Sequence, residues 1–107
     1  MLNNLFGTNL QRFLIDASSF DPPAEISKLL IPILIIQGTN DIQVEVKDAE
    51  ILHTASSKSK LKILQGMNHV FRQASENFIL NLQTYANPDL PIDKNLPVII
   101  SEFIFEK

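Results

Sequence analysis

Pro32 introduces the run Ile33-Leu34-Ile35-Ile36-Gln37-Gly38, and no other stretch restricts the folding of this chain so tightly. Consecutive large aliphatics closed by a glycine predict a strand covered on both faces, as the strands of parallel sheets are. A buried helical segment is excluded by the shortness of the run and by the flanking proline and glycine. A second run, Leu61-Lys62-Ile63-Leu64-Gln65-Gly66, predicts a shorter strand that also ends in glycine. Between the two, Val46, Ala49, Leu52 and Ala55, with Ile51 nearby, predict a helix over 44–56, and 56–60 is a polar loop. Strand, helix and strand with short connections make one βαβ unit.

The flanks read as helices. Leu10, Phe13, Leu14 and Ala17 follow the spacing of one helix face over 8–18. Asp21 before Pro22 has the form of an N-cap with proline at the first helical position, opening a short helix toward Leu29; a rigid loop fits so short a piece equally well. Phe71, Ala74, Phe78, Leu82 and Tyr85 fit a helix face, against which Asn77 and Asn81 weigh; 87–91 is a loop. Leu96, Ile100, Phe103 and Ile104, with Pro97 in the opening turn, predict a terminal amphipathic helix.

Two strands do not bury their own faces, and a βαβ unit needs further parallel strands beside it. The expected fold class is therefore α/β, a partial doubly wound parallel sheet. The expected organisation is that residues 1–107 form the closing part of one larger domain. Composition removes other classes. A formal charge of −3 leaves no electrostatic footprint for a nucleic-acid backbone. Without cysteine there is no disulfide framework, thiolate nucleophile or sulfur-ligated zinc. The three glycines, Gly7, Gly38 and Gly66, are too scattered for a phosphate cradle, which sets nucleotide binding aside; no cofactor is expected. No apolar stretch approaches the ~20 residues of a membrane span. The first residues lack a basic region, an apolar run and a cleavage site, so no signal peptide is expected and the default compartment is cytoplasmic.

Two residues share a placement. Gly38-Thr39-Asn40-Asp41 and Gly66-Met67-Asn68-His69 each set an acid–base group three positions beyond a strand-closing glycine. In open parallel sheets ligands sit outside the carboxyl ends of the strands, so Asp41 and His69 should overhang the same edge. Strands ~5 Å apart allow the carboxylate to reach one imidazole nitrogen. Taken singly, an Asp after a strand commonly caps a turn, and a His in a loop is commonly just solvated. Their matching placement favours a pair.

These segments, Ile-Pro-Ile-Leu-Ile-Ile-Gln-Gly-Thr-Asn-Asp followed by Gly-Met-Asn-His, resemble the C-terminal part of an α/β-hydrolase. The likeness covers 30–72 closely, with 21–29 and 94–106 as looser flanking helices. In that family an acid follows the penultimate core strand, a histidine follows the last, and the chain order is nucleophile, acid, histidine. The resemblance implies Asp41 as the acid, His69 as the general base and a small-molecule ester or amide as substrate of the complete enzyme. The family's Gly-x-Ser-x-Gly nucleophile has no match, because asparagine (Asn9, Asn40, Asn68) stands two positions after each glycine. The expectation is a C-terminal fragment of a serine hydrolase, contributing acid and histidine and inactive alone. The alternative is a non-catalytic remnant or interaction module that self-associates through its incomplete sheet.

Other features carry less. His53 falls on the helix between the strands, where a surface position is the simpler reading. Asp41, Asp48 and His53 match no metal-ligand spacing, and no metal site is expected. Lys58, Lys60 and Lys62 read as a solvated strand entrance. Met67 and Asn68 flank the histidine and are placed either to shape a pocket or to pack.

Overall fold

Proline at position 32 and the aliphatic residues after it start a strand in the computed structural model, which describes residues 20–106. The helix expected over 8–18 lies outside the described residues. Strand β1 (Ile33–Gly38) pairs in parallel with β2 (Ser59–Leu64), with Ile33 opposite Ser59 and Gly38 opposite Leu64. The second strand is thus as long as the first, and it begins inside the stretch expected to be loop. Its Lys60 and Lys62 point to an exposed face, where polar residues cost a strand nothing. Gln65 and Gly66 belong to the turn that follows rather than to the strand.

Before β1, helix α1 (Pro22–Ser27) opens as its sequence dictates. The Asp21 carboxylate accepts from the Ala24 N–H, and the prolines occupy positions whose N–H groups have no helical partner. Helix α2 (Val46–Ala55) links the strands, and the Asp48 carboxylate reaches back to the Glu45 N–H at 3.1 Å. It packs on α1 and on both strands, with Ala49 buried at the contact.

After β2 the chain departs from the helical spacing expected from Phe71. Phe71 has φ of 68°, a left-handed conformation that ends any helix there, and 65–77 is a succession of turns. Helix α3 (Phe78–Gln83) begins only where the Asn77 side chain accepts from the Leu80 N–H at 3.0 Å. It continues into a 3₁₀ turn (Thr84–Ala86). Helix α4 (Leu96–Phe105), with Pro97 in its first turn, places Leu96 against Leu64 and Met67, and Ile36 and Ile99 pack around these three.

The described residues therefore form mixed helix and strand around a two-stranded parallel sheet. The core is small and sits at the carboxyl end of the sheet. Much apolar surface stays outside it: Leu30, Ile31, Ile63, Ile79 and Phe105 are all exposed.

Candidate active site

Both strands release their chains at the same end of the sheet, and the two loops are laced together there. Thr39 N–H continues the ladder to Leu64 O, Asn40 N–H donates to Met67 O, and Gly66 N–H donates to the Thr39 hydroxyl at 2.8 Å. So close an approach needs glycine at position 38, where a Cβ would overlap the Met67 carbonyl. Gly66, at φ of 80°, takes the left-handed turn that sends the second loop back over the first.

The Asp41 carboxylate divides its two oxygens. Oδ1 accepts from the N–H groups of Gln43 (2.8 Å) and Val44 (2.9 Å), an Asx turn of the ordinary kind. Oδ2 faces His69 Nδ1 at 2.9 Å and takes a longer bond from Gln37 Nε2. The turn-capping role and the histidine-partner role, which compete in the sequence, are filled by one side chain. Burial pushes the Asp41 carboxyl up, but the Val44 N–H, His69 and the Gln43 N–H outweigh it and hold its pKa below the usual carboxylate range. An ionised Asp41 can only accept, so Nδ1 of a neutral His69 carries the proton and Nε2 keeps its lone pair. The imidazole is 41% exposed and its partner 7%. Among the described residues nothing hydrogen-bonds to Nε2.

His69 rides at the tip of a loop closed by Asn68. The Asn68 Oδ1 accepts from Val70 N–H and Arg72 N–H, and the Asn68 main chain exchanges bonds with Phe71 and Arg72. On its other side, Asn68 Nδ2 donates to Thr84 Oγ1 (2.7 Å) and Asn81 Oδ1 (3.2 Å). Asn81, fully buried, donates in turn to Asn40 O (2.6 Å) and Ser75 O (2.9 Å), while Asn40 Nδ2 donates to Ala74 O. Arg72 pins the same 3₁₀ turn through Thr84 O. A cavity of about 160 Å³ adjoins the pair, with Ile36, Val44, Met67 and Phe71 in its wall.

Asp41 and His69 are therefore brought together, with Met67 and Asn68 beside them, whereas His53, Asp48 and Lys60 are engaged elsewhere. His53, half-buried, places Nδ1 2.6 Å from the Ser59 hydroxyl and ties the end of α2 to the start of β2. Asp48 is engaged with Glu45, and Lys60 forms an ion pair with Glu106. Among the described residues no three His, Asp or Glu side chains gather as a metal site would require. Reading the sequence missed Gln37, Asn81 and Thr84. Asn81 was visible only as a polar residue at an apolar helix position. No protein-family model matches the chain, and no curated protein is similar to it.

Proposed function

We propose that this chain supplies the acid and the histidine of a Ser-Asp-His triad in a serine hydrolase acting on an ester or amide, as the C-terminal part of an α/β-hydrolase domain. The observation that supports this reading is the 2.9 Å contact between His69 Nδ1 and the turn-anchored Asp41 carboxylate, with Nε2 left open. In the proposed reaction Nε2 takes the proton of a serine hydroxyl as its oxygen attacks the carbonyl carbon. It then returns that proton to the leaving oxygen or nitrogen. Asp41 stays ionised throughout, orients the ring and steadies the imidazolium. In this reading the serine is supplied from outside residues 1–107, because none of their three glycines forms a Gly-x-Ser-x-Gly pattern.

A fluorophosphonate probe tests this. The 107-residue chain alone is expected to remain unlabelled. The polypeptide captured from source cells by an antibody to residues 86–96 is expected to be labelled at a serine outside this sequence. Stoichiometric labelling of a serine within the chain would overturn the missing-nucleophile argument. A captured polypeptide that never reacts would overturn the hydrolase reading itself.

One further reading is favoured by the exposed apolar side chains and by the two-stranded sheet of the described residues: a non-catalytic module that self-associates. Sedimentation showing a monomer that persists with concentration would remove it.

A further inference from the structure

Asn40 and Asn68 are the residues immediately before Asp41 and His69, and one buried side chain contacts both. Asn81 donates through Nδ2 to Asn40 O and accepts through Oδ1 from Asn68 Nδ2, with its second N–H on Ser75 O. Its amide thus has both donors and its acceptor engaged, and no exposed surface. A buried amide in this position fixes distances that an apolar side chain of the same size leaves free, because each bond has a preferred length and direction. We infer that Asn81, with Thr84 beside it, is a positioning residue. It sets the spacing between the loop that carries the carboxylate and the loop that carries the imidazole, and so holds the Asp41–His69 bond. Thr84 contributes by accepting from Asn68 Nδ2 while its own hydroxyl donates to Asn81 O, closing the network on the helix.

The inference rests on the proposed acid–histidine pair, and the test separates the two. Long-range ¹H–¹⁵N spectra of the 107-residue chain report which nitrogen of His69 carries the proton. The parent chain is expected to show a protected Nδ1–H, and Asp41→Asn is expected to lose it. If the parent shows no such proton, the acid–histidine reading falls and this inference with it. Given that proton, Asn81→Leu, which keeps the branched shape and the number of side-chain heavy atoms and removes the three bonds, is expected to lose the Nδ1–H resonance and move the tautomer toward Nε2–H. Thr84→Val is expected to move it part of the way. Ile99→Ala, which loosens the core from α4, is expected to leave His69 unchanged although it lowers stability. A folded Asn81→Leu with an unaltered His69 overturns the positioning role and leaves the pair standing. If Asn81→Leu does not fold, Thr84→Val decides: an altered tautomer supports the role and an unaltered one overturns it. An Ile99→Ala that disturbs His69 as much as either variant also overturns it, since the pair would then follow general stability.

Discussion

His69 Nδ1 and Asp41 Oδ2 meet at 2.9 Å across 28 positions of sequence, and they meet unequally. The carboxylate is buried and held by main-chain donors, whereas the imidazole leans out toward solvent. The acid is thus the fixed member, and the ring is oriented by it. That order suits a base whose working nitrogen must face an incoming proton.

Asp41→Asn retains the shape of the side chain and reverses its hydrogen bonding toward His69. In a complete hydrolase built on this chain, turnover is expected to fall by about 10⁴, because the imidazole loses its preferred tautomer. Steady-state kinetics check this. Near-parental turnover would remove Asp41 from the acid role.

Acid should weaken the fold through the same residue. The folded-state pKa of Asp41 lies below its unfolded value, so its contribution to stability is complete above the unfolded value. It is lost as pH falls through the folded value, below the ordinary aspartate figure of about 3.9. Urea unfolding at stepwise lower pH is expected to show a steeper loss in the parent than in Asp41→Asn.

The two histidines should differ in reactivity. Diethylpyrocarbonate attacks an unprotonated ring nitrogen, and His69 offers Nε2 on an exposed ring, while His53 is half-buried against Ser59. Peptide mass mapping is expected to find His69 modified first. Equal rates would contradict the open Nε2.

Gly38→Ala is expected to cost about 1–3 kcal/mol, the range for forcing atoms into packed space, because the obstacle is the Met67 main chain. Gly66→Ala carries the left-handed penalty of about 1–2 kcal/mol, and its obstacle is the movable end of Gln73. Urea midpoints should place Gly38→Ala as the less stable of the two.

Legibility in the sequence followed the range of the interaction. The β1 run, its closing glycine and the paired offsets to Asp41 and His69 are local patterns, and they sufficed to forecast a parallel strand pair with both groups at one end. The start of β2 was hidden because Ser59 and Lys60 are polar, and only pairing with Ile33 and Leu34 makes them strand. The helix expected from Phe71 failed on conformation: apolar spacing is blind to a positive φ and to the Asn77 cap. The role of Asn81 escaped notice for a different reason. Its partners, Asn40 and Asn68, are 41 and 13 residues away, and a polar side chain carries no local mark of burial.

The parallel register Gly38 opposite Leu64 also governs where this chain can change length. Side chains alternate faces residue by residue in a strand, so one residue gained or lost within 33–38 or 59–64 would shift the register that brings the two loops, and with them the carboxylate and the ring, together. The loop at 87–91 belongs to neither strand and has no such phase to keep, and it meets the histidine loop through Arg72 Nε on Leu90 O. Deletion scanning would therefore trace the site as two forbidden windows, separated by a helix and followed by a permissive gap.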